Sequence, residues 1–156
     1  NKKIIEKINK EYNFLFNKKT ISLHYRLGGD RILENIQYFH KNVTPEFYLK
    51  SLEIICKNNL EDYNILLFSD NINLAKNLLK NINVIPIDNK NDCVKDFIFM
   101  SLCDHNIIGN STFSWWAAYL NKNINKLVLA PKTQWFGEGY KNFCLDDLFP
   151  EEWIKL

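Results

Sequence analysis

Three hydroxyl residues, Ser111, Thr112 and Ser114, follow the turn pair Gly109-Asn110, where the stretch His105 to Ile108, with its β-branched apolar residues, gives way to a helical pattern, Phe113 to Leu120. A helix that starts directly after a strand presents free backbone N–H groups and a partial positive charge, so these hydroxyls and amides could together hold a phosphate. The same residues also suit an ordinary N-cap by Ser111 or Thr112. Arg26 carries a fixed charge on a planar fork, which fits bidentate phosphate contact or a surface ion pair. His24 lies two positions earlier on the same strand face, as a donor to phosphate or base or as a structural histidine. Gly28-Gly29 lets backbone approach a ligand closely, or simply turns the chain. Asp70 closes an apolar run and can accept hydrogen bonds from a ribose or a purine edge, or cap the next helix.

These residues need a scaffold, and the pattern of the chain supplies one. Ile4, Ile5, Ile8, Tyr12 and Leu15 recur at helical spacing and predict an amphipathic helix over Asn1 to Asn17. Thr20 to Leu27 reads as a strand, and Asp30 to about Val43 as a long loop. Thr44-Pro45-Glu46 starts a helix that runs to about Asn58. Tyr63 to Ser69 is a strand whose run Ile65-Leu66-Leu67-Phe68 does not alternate, as expected when both faces are covered. A helix over Ile72 to Lys80, a strand at Asn83 to Pro86 and a helix over Asp92 to Leu102 lead into the strand at His105. Lys126 to Ala130 is the last strand, and Pro150 to Ile154 a short terminal helix. Strands alternating with helices predict an α/β fold, a Rossmann-like doubly wound parallel sheet in one domain over residues 1–156. In such a sheet ligands bind beyond the carboxyl ends of the strands. The loops at His24-Asp30, Ser69-Asn71, Gly109-Ser114 and Pro131-Gly137 should therefore meet at one edge.

Composition narrows the function classes. The 156 residues are 46% hydrophobic and 14% aromatic, enough for one core and unlike a disordered chain. A net charge of +2 with interspersed signs argues against a nucleic-acid partner. Cys56, Cys93, Cys103 and Cys144 form no Cys-x-x-Cys pair and no metal spacing with the histidines, which reads as reduced thiols. No stretch approaches the roughly 18 apolar residues of a membrane span, and the start lacks a signal-peptide core. The expectation is a soluble piece, cytoplasmic or peripheral to a membrane.

His24-x-Arg26-x-Gly28, Phe68-Ser69-Asp70, the whole run Cys103 to Asn121 and Ala130-Pro131-Lys132-x-x-Trp135-Phe136 resemble, in order, the motifs of the α-1,2-fucosyltransferase family, glycosyltransferase family 11. The resemblance implies a GT-B enzyme whose C-terminal Rossmann half binds GDP-fucose and passes L-fucose to a galactoside 2-hydroxyl of a glycan acceptor. It further implies inversion at the anomeric carbon, with no metal and no cofactor beyond the donor substrate. Carried over by position, Arg26 would neutralise the diphosphate and stabilise it as the leaving group. His24 and Asp70 would lie near the guanosine, and Gly28, Asn110, Ser111, Thr112, Phe113 and Ser114 would complete the donor site. Trp115 and Trp116 are expected to pack the helix. The acceptor hydroxyl needs a general base, for which the long loop offers Asp30, Glu34 and His40.

The chain also departs from the family pattern. Where the family usually reads His-x-Arg-Arg-Gly-Asp, Leu27 replaces the second arginine and Gly29 the aspartate, with Asp30 one place late. One positive charge at the leaving group is missing. A GT-B enzyme has two halves, so an acceptor half is expected before Asn1 or on a partner chain. The alternatives are a nucleotide-sugar-binding module without catalysis and a transferase for another GDP-linked sugar.

Overall fold

The structure, a computed structural model, describes residues 2–57, 59–90 and 92–156. Its strands are β1 (Lys19–Tyr25), β2 (Tyr63–Ser69), β3 (Val84–Pro86), β4 (His105–Ile107), β5 (Val128–Ala130) and β6 (Ile154–Lys155). Its α-helices are α1 (Lys2–Tyr12), α2 (Glu34–Phe39), α3 (Pro45–Cys56), α4 (Ile72–Leu78), α5 (Cys93–Leu102) and α6 (Thr112–Leu120). The strands form one sheet in the order β3-β2-β1-β4-β5-β6, and every pairing is parallel. This is the Rossmann-like doubly wound arrangement expected from the alternation of strands and helices.

The apolar run of β2 explains why helices cover both faces. Successive strand side chains point to opposite sides. Ile65 and Leu67 join one core with Phe47, Tyr48, Leu52 and Ile55 of α3 and Ala75 of α4. Leu66 and Phe68 join another with Ile8 of α1, Phe99 and Met100 of α5 and Ala117 of α6. A leucine buried in this way stabilises the fold by roughly 1.5–3 kcal/mol. Under the far end of the sheet, Ile108, Val128 and Ala130 pack with Trp135, Phe149 and Trp153 in a third cluster.

Polar groups fix the register of β1 against β4. Asp104 accepts from the Thr20 N–H at 2.7 Å and from the Thr20 hydroxyl at 3.0 Å. The Asn106 amide donates to Ser22 Oγ at 2.7 Å and to the Met100 carbonyl at 2.8 Å, while Asn121 donates to Asn106 Oδ1 at 2.8 Å. Asn106 and Asn121 are buried, so these bonds replace those that water would supply. Much of the Cys103 to Asn121 motif is therefore spent on holding the two central strands in line.

Several expectations need correction; among them, β5 begins at Val128 rather than Lys126 and α4 ends at Leu78 rather than Lys80. The long loop after β1 holds a 3-10 turn (Gly29–Ile32) and the short helix α2. No residue of α2 is buried, so no apolar periodicity marked it. The segment expected as a terminal helix at Pro150 to Ile154 instead turns and adds β6 as an edge strand on β5. The first helix gives way to 3-10 geometry at Asn13–Asn17, and β1 ends at Tyr25 rather than Leu27. Asn1 and Asn58, where the first helix and α3 were expected to begin and end, lie outside the described residues.

Candidate functional site

The sheet reverses direction between β1 and β4: the chain steps outward from β1 to β2 and β3, then returns to place β4 on the other side of β1. A doubly wound sheet opens a crevice at that point, because the connections leave in opposite directions. A cleft of about 470 Å³ lies there, lined by His24 and Arg26 at the end of β1, Phe68 to Asp70 at the end of β2, and Ser111 and Phe113 at the start of α6. Its other wall is Ile87, Asp88 and Asn89 beyond β3 with Cys93 and Asp96 of α5. The volume suits a nucleotide-sized ligand.

Arg26 sits at the mouth. Its guanidinium pairs with Asp30 at 3.1 Å and, through Nη1, with Asp70. Asp70 is held from behind by the Leu27 N–H at 2.8 Å. Gly28 leaves room at this contact, since a Cβ there would crowd Asp70 Oδ2 at 3.0 Å. Asp70 does not cap α4; Asn71 does, accepting from the Leu74 N–H at 3.1 Å. Arg26 is thus a cation held in place by acids that a stronger anion would have to displace.

His24 is 6% exposed, and its Nδ1 has no partner among the described residues. Burial draws its pKa down to about 4, Asp70 opposing and Arg26 and Arg31 adding to the fall. The imidazole is therefore neutral at pH 7, with the Phe113 ring 5.8 Å away. Its carbonyl accepts from the Tyr48 hydroxyl at 3.0 Å.

At the start of α6, Ser111 stands at the N-cap but makes no side-chain cap bond. Ser114 is buried and donates to the Ser111 carbonyl at 3.2 Å, while Thr112 is exposed and outside the cleft lining. The first-turn amides of α6 have no acceptor within the helix. They form the positive end of that helix, which borders the same cleft as Arg26.

Comparison with known proteins settles what scaffold this is. The sequence profile described as Glycosyl transferase family 11 matches residues 3–156. The chain belongs to glycosyltransferase family 11. It is similar to the Escherichia coli O-antigen biosynthesis glycosyltransferase WbnK, 34% identical over 143 residues that cover 90% of this chain and 45% of the relative. It is also similar to an Escherichia coli alpha-1,2-colitosyltransferase, 29% identical over 143 residues, 88% of this chain and 47% of the relative. The chain spans about half the length of these relatives. No solved structure matches it.

Within this family 11 domain, the expected site residues divide into two groups. His24, Arg26, Asp70, Ser111 and Phe113 line one cleft, and Gly28 and Asp30 adjoin it through Asp70 and Arg26. Asn110 is 4% exposed and spends its amide on the carbonyls of Lys41, Gln134 and Trp135, tying three loops together. Glu34 is exposed at the start of α2, and His40 packs 5.5 Å from Tyr140; neither lines the cleft. Burial, then Arg31, draws the His40 pKa below its usual value. Trp115 packs as expected, its indole donating to the Leu148 carbonyl at 2.9 Å, whereas Trp116 is half exposed.

Sequence reasoning missed the wall beyond β3. Asp96 is half buried there, accepts from the Asn89 amide at 2.6 Å, and has its pKa raised by burial. The rule that loops beyond strand ends converge applies to β3 as much as to β1, and it would have pointed to Asp88 and Asn89. Arg31 does not line the cleft itself but bonds to the Asn110 carbonyl, one residue before Ser111. It is 7% exposed, an unusual burial for an arginine.

Proposed function

We propose that this domain binds the GDP-linked sugar of an inverting transferase, and that the parent enzyme passes L-fucose from GDP-fucose to the 2-hydroxyl of a galactoside. The observation that carries the reading is the convergence, in the switch-point crevice, of Arg26, the neutral His24 and the amide end of α6. Arg26 and the α6 amides face the diphosphate. The far wall takes the base, since guanine presents N1–H and a 2-amino group as donors, and Asp88, Asn89 and Asp96 offer acceptors.

In the reaction the acceptor hydroxyl attacks the anomeric carbon as its bond to the diphosphate breaks. Negative charge grows on the departing oxygen, and Arg26 stabilises it once the donor has displaced Asp30 and Asp70 from the guanidinium. The reading requires no metal. Asp30, freed from Arg26 at the mouth, is the best placed of the three general-base candidates, as Glu34 and His40 stand outside the cleft. The acceptor is a glycan, supplied to this crevice by a further half of the enzyme on the same or a partner chain.

A second reading changes only the sugar. The relative named as an alpha-1,2-colitosyltransferase favours the same α-1,2 linkage with a different hexose. Calorimetric titration with GDP-fucose, GDP-mannose, GDP and UDP, without metal, separates the readings. Comparable binding of all three guanine nucleotides and none of UDP supports the GDP site and leaves the sugar to be chosen elsewhere. Preference for GDP-fucose supports fucose. Binding of UDP as tight as GDP would contradict the assignment of the far wall to guanine.

A further inference from the structure

We infer that Arg31 is a second cation for the donor's diphosphate, carrying from four residues further along the charge that Leu27 does not supply. The inference rests on the GDP-donor reading above. Leu27 itself is 2% exposed and belongs to the core with Val43 and Tyr48, so no charge can stand at that position without unpacking it.

Arg31 is buried nearly as deeply, yet among the described residues its guanidinium hydrogen-bonds only to carbonyls. Nη1 donates to the His40 carbonyl at 3.0 Å and Nη2 to the Asn110 carbonyl at 2.9 Å. No carboxylate forms an ion pair with it among the described residues, in contrast to Arg26, which has two. A guanidinium has five N–H donors, so these bonds leave others free. Burying a charge without an opposite charge is costly, and burial draws the Arg31 pKa below its usual value, Asp30 opposing.

The place of that charge is informative. Asn110 directly precedes Ser111, the N-cap of α6, so Nη2 ends one residue from the helix start that lines the cleft. The Arg31 backbone is fixed as well, its N–H bonded to the Gly28 carbonyl at 3.2 Å and its carbonyl accepting from the Gln37 amide at 3.0 Å. A diphosphate held by the α6 amides therefore arrives beside a cation that is already oriented and has no acid to give up. In a partly dehydrated site such a charge attracts an anion far more strongly than it would in water.

The test compares GDP with guanosine, which share the base and differ in the diphosphate. In Arg31→Gln, GDP affinity should fall about 10- to 100-fold, with guanosine affinity unchanged. Arg31→Lys, which keeps the charge, should lose less. In the wild-type protein, the Arg31 Nε–H resonance should shift on adding GDP and stay in place with guanosine, a result that does not depend on any variant folding. Unchanged GDP affinity in a folded Arg31→Gln protein, equal loss of GDP and guanosine, equal loss in the Lys and Gln variants, or an Nε–H signal indifferent to GDP would each overturn the inference while leaving the donor site intact. Failure of the wild-type protein to bind GDP would overturn the donor reading itself.

Discussion

Arg26 and His24 stand two residues apart at the end of β1, one just beyond the strand and one within it, and are handled by opposite physics. Arg26 is about one-third exposed and neutralised by Asp30 and Asp70, so its charge is kept and guarded. His24 is buried and holds no charge at neutral pH. This has a consequence for stability. The unfolded chain takes up a proton on that imidazole near pH 6.5, whereas the folded protein does so only near pH 4. Between those values the unfolded state binds more protons, so the contribution of neutral His24 is complete above pH 6.5 and is lost as pH falls toward 4. Denaturant unfolding should show the wild-type protein losing roughly 3 kcal/mol more than His24→Gln between pH 7 and pH 4. Parallel pH profiles for the two proteins would show that His24 is freely solvated.

At the scale of elements, what was legible follows from how much each element buries. β2, α3 and α5 were legible because their apolar residues face cores on fixed periods, and β4 with α6 because Gly109-Asn110 punctuates them. α2 and β6 were not: α2 buries none of its residues, and β6 is two residues long and exists by pairing with β5. Arg31 and Asp96 were illegible for a related reason, as each is placed by a neighbour distant in sequence or at the β3 end, Arg31 against the Asn110 carbonyl and Asp96 against the Asn89 amide. In place of a buried face, α2 is held by the Phe39 ring 4.9 Å from that of Tyr140, the Gln37 amide bond to the Arg31 carbonyl, and close backbone contact. The Gly137 N–H donates to the Phe39 carbonyl at 2.8 Å, and a Cβ on Gly137 would lie 2.5 Å from the Tyr38 carbonyl oxygen and 2.8 Å from that of Gln37. Gly137→Ala should therefore push α2 from the loop after β5, costing about 1–3 kcal/mol and lowering Tm by about 3–10 °C. A thermal melt unchanged from wild type would mean that the two segments part without cost.

For the whole molecule, the parallel sheet concentrates chemistry at one edge, and the order β3-β2-β1-β4-β5-β6 places the crevice between β1 and β4. The motifs carried by those strands serve two purposes, since Thr20, Asn106 and Asn121 lock the register while Arg26, Ser111 and Phe113 border the cleft. No helix among the described residues is long and apolar enough to cross a membrane. The chain covers about half the length of its relatives. The most direct measurement is calorimetric titration of GDP into the wild-type domain and into Arg26→Ala, side by side. The account predicts binding by the wild-type domain and a loss of about 10- to 100-fold in the variant, the worth of a charge-assisted contact. No binding by a cooperatively folded wild-type domain, or equal binding by both proteins, would contradict it.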